Sequence, residues 1–438
     1  MQKLVINGGN KLGGVVNVGG AKNASLPIFA ATLLAEGQYR LSNVPKLRDV
    51  GTMSKLLSQL NARVECGKDS RFCGENGINN SQICINEDLL LITNNGGNQC
   101  EALYEMVKTM RASILVLGPL LSRRKKARVS LPGGCAIGER PVDLHISALE
   151  AMGAKISVSH GYIDAECDRL KGMEITFNTI TVTGTENIMM AAVLADGQTV
   201  LHNAAQEPEI VDLANFLRRM GAKIVGDGTH CIKIEGVDEL VSTDYSVMAD
   251  RIEAGTLLCA VAGAGGKAVI KGAPVKDIKS IISSLKLAGV KITDKGEEGL
   301  LVESDGILKA TDITTMPYPG FPTDMQAQFM AVMTKAEGTS VINETIFENR
   351  FMHVAELKRM GADITVRDSS AVVRGVKELS GAPVMASDLR ASAGLVIAAL
   401  MATSTSEALR IYHLDRGYED FEKKLSALGA DIKRVNAS

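Results

Sequence analysis

Near residue 135 the chain reads Leu131-Pro-Gly-Gly-Cys-Ala-Ile-Gly-Glu-Arg-Pro-Val-Asp-Leu-His145, which seats a cysteine between glycines and an arginine. Gly133 and Gly134 open backbone angles closed to other residues, so Cys135 is placed on a hinge between an apolar strand and a proline-started helix. Arg140 and the helix start supply positive potential that would hold an anion beside the thiol. Cations favour the thiolate, a nucleophile; a bound anion reverses the local field and favours the thiol, a proton donor.

Other chemistry-bearing residues stand at two kinds of position. The first is just before an apolar helix and includes Lys22, Asn23, Arg111, Asp250, Arg251, Asp324 and Arg390; the second is the loop before a following helix and includes Cys135, Arg140, Glu207 and Arg416. Helix ends of this kind present amides and dipoles that favour anions. Each residue also has a plainer use. Gly19-Gly-Ala-Lys-Asn-Ala-Ser-Leu-Pro27 fails the phosphate-loop spacing, and Asn23 or Ser25 fits a helix cap as well as a ligand contact. Arg111 suits a surface salt bridge, Thr323 or Asp324 a cap, Asp415 beside Arg416 a structural bridge. His145 and His413 suit packing or orienting roles, and Arg123-Arg-Lys-Lys-Ala-Arg128 a solvated turn.

The elements that must position these groups announce themselves by repetition. Leu57-Ser-Gln-Leu-Asn-Ala-Arg-Val64 recurs as Leu149–Ile156, Leu217–Ile224, Leu285–Ile292, Leu357–Ile364 and Leu425–Ile432, six copies of a helix end, a turn and a strand start. The turn residue is glycine in five copies and Asn61 in the first. Their first residues are separated by 92, 68, 68, 72 and 68 positions, a unit near 68 residues with about 24 extra in the first interval. Upstream of each phrase comes an apolar helix rich in small residues, then a strand, a loop and a second helix. Helices apolar nearly all round, such as Ala393–Ala402, are expected inside. The Gly, Asn and Ser clusters between Cys66 and Cys100, including Asn94-Asn-Gly-Gly-Asn98, read as surface hairpin tips.

With 438 residues and 45% hydrophobic content, the chain is expected to form two domains. Net charge is −2 from 48 Lys and Arg against 50 Asp and Glu, and Trp is absent, which argues against a nucleic-acid protein. The opening Met-Gln-Lys-Leu-Val-Ile-Asn has no apolar core of signal-peptide length and no run spans a bilayer, so a soluble cytoplasmic protein without membrane partners is expected. Eight cysteines lack paired spacing; Cys66, Cys73, Cys84 and Cys100 are too irregular for a zinc site and read as free thiols.

The Gly-Gly-Cys loop, the Lys22-Asn23 pair and the six units together resemble the enolpyruvyl transferase family, in its bacterial branch acting on UDP-N-acetylglucosamine, over essentially the whole chain. The resemblance implies a two-domain inside-out α/β barrel built from six repeated helix/strand units, three per domain. Mapped by motif, residues 1–21 with 249–438 form the C-terminal domain and 22–248 the domain carrying the reactive cysteine, with two crossings that would permit closure around a ligand. It further implies transfer of the enolpyruvyl group of phosphoenolpyruvate to the sugar 3-hydroxyl with release of phosphate, by addition and elimination through a tetrahedral intermediate. That is the first committed step of peptidoglycan synthesis and the target of fosfomycin. On this pattern Cys135 donates a proton, Asp324 accepts the hydroxyl's, and Lys22, Arg111, Arg140, Arg390 and Arg416 offset the substrates' charge. Asn23, Pro141, Val142, Asp143, Leu144 and Ile346 contact the substrates, Phe347 resembling Ile346 in this. A monomer without cofactor or metal is implied.

The shikimate-pathway enolpyruvyl transferase resembles this fold but lacks the Gly-Gly-Cys loop. A sugar-nucleotide sensor that lost turnover is the rival from another class. One departure from the family pattern is Thr179-Ile-Thr-Val-Thr-Gly184, where a lysine and serine often precede the glycine.

Overall fold

A computed structural model of the chain describes residues 2–66, 89–107, 110–131 and 142–436. The six phrases do the same thing six times. Each closes a helix (Arg48–Gln59, Asp143–Ala151, Pro208–Arg219, Lys279–Leu287, Val354–Arg359, Phe421–Ala427) and opens a strand (Ala62–Cys66, Lys155–Ser159, Lys223–Val225, Lys291–Asp294, Asp363–Arg367, Asp431–Asn436). The turn residue is left-handed in every copy, with φ of 64° at Asn61 and 90–108° at Gly153, Gly221, Gly289, Gly361 and Gly429. That conformation costs least for glycine and next least for asparagine, so the one exception stays within the physical rule. In the five glycine copies the amide after the glycine bonds the carbonyl of the phrase's leucine at 3.0–3.1 Å, the helix-ending pattern that satisfies orphan carbonyls. The leucine itself is wholly buried in all six, so truncating any of them to alanine costs about 2–5 kcal/mol.

Contacts divide the chain into two compact units, one of residues 2–19 with 249–436 and the other of described residues between 20 and 248. Among the described residues each unit holds three four-stranded sheets of one pattern, an edge strand running parallel to its neighbour and the remaining pairs antiparallel. Gln198–His202, for instance, runs parallel to Glu174–Thr176 and antiparallel to Cys231–Glu235, which pairs with Lys223–Val225. Each unit also closes on itself. Tyr245–Ser246, at one unit's end, joins Gly37–Ser42 at its beginning. In the other, Gln2–Asn7 enters between Thr405–Leu409 and Asp431–Asn436.

Inside the sheets lie the apolar helices: Lys22–Ala31, Leu117–Arg124 and Val182–Ala192 in one unit, Arg251–Ala264, Gln326–Met333 and Leu389–Met401 in the other. Residues 251–263, 326–333 and 390–401 are buried without a break, as the lack of a polar face requires. Small residues let these helices approach: a Cβ on Gly394 would meet the Ala327 carbonyl oxygen at 2.8 Å. The helices sit inside and the sheets outside, the inside-out α/β arrangement.

Two expectations need correction. Asn94 is no hairpin tip: it ends the buried strand Leu89–Asn94, donates to the Thr32 and Ala35 carbonyls at 3.0 Å each and accepts from the Gly96 amide, tying off the first core helix. Beyond it, Asn95, Gly97 and Asn98 are exposed as expected, but the segment leads to Glu101–Ala102 in another sheet and does not turn a hairpin; Gly74–Ser81 lies outside the described residues. Nor is Arg123–Arg128 a merely solvated turn, because Arg124 donates to the carbonyls of Leu60 and Gln99, and Arg128 stacks on Tyr162 while bonding Glu101 and Asp164. Among the described residues, Cys100, Cys167, Cys231 and Cys259 are free thiols, and no helix is long and apolar enough to cross a membrane.

Candidate active site

A cation in the first turn of a helix opposes the dipole, yet three of the inside helices carry one there, Lys22 and Arg251 at the first position and Arg390 at the second, and Arg111 opens the turn leading into a fourth. Two of these cations face carboxylates of the chain itself, Lys22 meeting Asp49 and Arg390 meeting Asp324, which offset the conflict.

In the unit containing residues 249–436, two aspartates set the helix starts. Asp250 accepts from the amides of Ile252 and Glu253 at 2.8 and 3.0 Å, and Asp388 accepts from those of Arg390 and Ala391 at 2.9 and 3.0 Å. The third start is the short turn Thr323–Met325, where neither Thr323 nor Asp324 caps the helix Gln326–Met333. Asp324 is held from the side instead. Its Oδ2 accepts from Arg390 Nε at 3.0 Å and its Oδ1 from Arg350 Nη2 at 2.7 Å. Arg390 is 2% exposed and lies over the Tyr418 ring. Burial pulls its pKa down, but Asp324, Tyr418 and Asp250 outweigh burial and raise it, so it stays a fixed cation. Below, Gln328 Nε2 holds the Asp324 carbonyl at 2.9 Å and the Tyr418 hydroxyl at 3.0 Å.

Ile346 and Phe347 are half-buried, and their amides donate to Glu344 Oε1. Arg416 ends the half-buried turn Leu414–Arg416. Asp415 forms a structural bridge, though with Arg434 at 2.7 Å, which also grips Glu422. His413 lies against Tyr412, their ring centroids 4.3 Å apart.

In the other unit, Lys22 is buried at the start of its helix and reaches Asp49 Oδ2 at 3.2 Å. No side chain caps that helix; the Ser25 hydroxyl instead donates to the Ala21 carbonyl, and Asn23 is half-buried. Val142 and Leu144 pack partly against the core, and Asp143 is exposed in the first turn of Asp143–Ala151. His145, 3% exposed, lies 2.8 Å from Asn187 Nδ2, and burial lowers its pKa to about 4. Glu207 and Glu209 stand at the start of Pro208–Arg219, and Glu186 is buried in Val182–Ala192. Burial, then Glu209 and Glu207, raise the Glu186 pKa well above the ordinary value. Cys135, Arg140 and Pro141 lie outside the described residues.

Of the sequence candidates, the fold joins Asp324 directly to Arg390, while Lys22, Asn23, Arg111, Val142, Asp143 and Leu144 belong to one unit and Asp324, Ile346, Arg390 and Arg416 to the other. Arg350, Glu344, Asp49 and Glu186 were missed. No spacing marks Arg350, which lies 26 residues from the carboxylate it grips; Glu186 carried a signal, a carboxyl inside an apolar helix.

A family model described as EPSP synthase (3-phosphoshikimate 1-carboxyvinyltransferase) matches residues 6–425. Curated relatives include the UDP-N-acetylglucosamine 1-carboxyvinyltransferases of Thermodesulfovibrio yellowstonii, 57% identical over 99% of this chain and all of that one, and of Geotalea uraniireducens, 54% identical over the same shares. Among solved structures, the enolpyruvyl transferase NikO of Streptomyces tendae superposes with a TM-score of 0.86 at 24% identity, covering 100% of this chain and 99% of that one. The EPSP synthase of Acinetobacter baumannii does so with a TM-score of 0.75 at 18% identity, covering 100% of each chain. The chain belongs to the EPSP synthase (3-phosphoshikimate 1-carboxyvinyltransferase) family, the enolpyruvyl transferases.

Proposed function

We propose that this chain transfers the enolpyruvyl group of phosphoenolpyruvate to the 3-hydroxyl of UDP-N-acetylglucosamine and releases phosphate, opening peptidoglycan synthesis as a cytoplasmic monomer. The observation that carries this is identity above one half, end to end, with relatives named for that reaction. Asp324 takes the hydroxyl proton as the oxygen bonds C2, while the Cys135 thiol protonates C3; loss of a C3 proton and cleavage of the C2–O bond to phosphate then complete the transfer. Lys22, Arg111, Arg140, Arg390 and Arg416 offset the charge of two anionic substrates, and fixed cations of this kind cost no reorganisation during reaction. Asn23, Pro141, Val142, Asp143, Leu144 and Ile346 hold the sugar nucleotide.

Phosphate release from phosphoenolpyruvate, with UDP-N-acetylglucosamine or shikimate 3-phosphate as acceptor, tests the reading in the intact protein and in Cys135→Ala. Release with the sugar nucleotide alone, lost in the variant, is expected. Release only with shikimate 3-phosphate would overturn it.

A further inference from the structure

Glu344 follows the strand Thr339–Asn343 and is 2% exposed, yet both its oxygens are engaged. Oε1 accepts from the Thr315 hydroxyl at 2.9 Å and from the amides of Ile346 and Phe347 at 2.9 and 3.2 Å. Oε2 accepts from the Thr323 hydroxyl at 2.8 Å. That hydroxyl in turn accepts from Arg350 Nη1 at 2.8 Å, while Nη2 of the same guanidinium donates to Asp324 Oδ1 at 2.7 Å. The directions are forced, because a guanidinium only donates and a hydroxyl has one proton to give. Arg350 also lies over the Phe347 ring, 5.2 Å from its centroid, so the chain of contacts meets the Ile346–Phe347 segment twice. Two carboxylates and two arginines, Glu344, Asp324, Arg350 and Arg390, leave the array without net charge, which suits its burial.

We propose that Glu344, acting through Thr323 and Arg350, is a positioning residue that sets the Asp324 carboxylate according to what occupies the Ile346–Phe347 segment. This rests on the acceptor and base assigned above. A sugar nucleotide pressing on that segment moves the two amides that Glu344 holds, and Glu344 can follow only by carrying Thr323 and Arg350 with it. The carboxylate is thus aimed when the acceptor is seated, and positioning errors near 1 Å cost about 100-fold in rate.

The test is steady-state kinetics of Thr323→Val, Thr323→Ser and Glu344→Gln, with both substrates varied and rates normalised to folded enzyme. Valine keeps the shape and removes the relay hydroxyl; serine keeps the hydroxyl. Thr323→Val is expected to lower kcat about 10- to 100-fold with the KM for phosphoenolpyruvate within about twofold of the original, and Thr323→Ser to recover most of the loss. Glu344→Gln is expected to raise the KM for the sugar nucleotide and lower kcat together, since an amide cannot accept at both ends. A normal kcat in Thr323→Val, or a serine variant as impaired as the valine one, overturns the proposal. Should Glu344→Gln fail to fold, the Thr323 pair decides alone. An unmodified protein inert with UDP-N-acetylglucosamine would instead overturn the functional reading, and this inference with it.

Discussion

His145 makes the stability of its unit depend on pH in a way the surrounding hydrogen bonds fix. The Gly118 amide donates to Asn187 Oδ1 at 2.7 Å, which turns Asn187 Nδ2 towards the Ile114 carbonyl and His145 Nδ1. The imidazole nitrogen facing that amide group is therefore the acceptor, and protonating it would set N–H against N–H. Burial pulls the pKa from 6.5 to about 4, so between those values the unfolded chain binds a proton that the folded chain refuses. The stability from this group is present above pH 6.5 and lost as pH falls towards 4. At about 1.36 kcal/mol per unit, lowering the pH from about 7.5 to about 4.5 removes roughly 2.5 kcal/mol. Other groups titrate over the same range: His353 is lowered to about 4, by burial first, while Glu186 is raised and acts in the opposite sense. The difference between the protein and His145→Gln cancels them. Urea unfolding by circular dichroism at several pH values, following the transition of this unit, should show the two proteins' stabilities converging by roughly 2.5 kcal/mol as pH falls. Parallel pH dependences, or convergence below about 1 kcal/mol, would refute a neutral buried imidazole.

Asn94→Ala is expected to cost about 2–3 kcal/mol in unfolding measurements, since it orphans buried groups at the end of the first core helix; a surface tip would tolerate it. Gly289→Ala should destabilise by about 1 kcal/mol although no atom lies within 4 Å of the new Cβ, because the cost is the backbone angle of φ 100°. Asp324→Asn leaves Arg350 and Arg390 facing a neutral amide and removes the proposed base, so kcat should fall about 10²–10⁴-fold; a smaller loss would assign the proton to another group.

The sequence by itself determined what is local and repeated. The helix end, left-handed turn and strand start depend on a buried leucine and a residue that tolerates positive φ within eight positions, so all six copies were legible, Asn61 included. The inside helices were legible because a segment with no polar face has only one stable place. The cations at helix starts were visible as residue types in recurring places. Tertiary structure decided what those groups hold. Asp324 sits between Arg350 and Arg390, 26 and 66 residues away, and Asp415 takes Arg434 rather than its neighbour in sequence. Asn94 is buried because the strand before it lies between two others, which no glycine-rich composition reveals. Hydrogen-bond partners are chosen by distance in space, and sheets that pair strands far apart along the chain set those distances; spacing along the sequence carries no record of them.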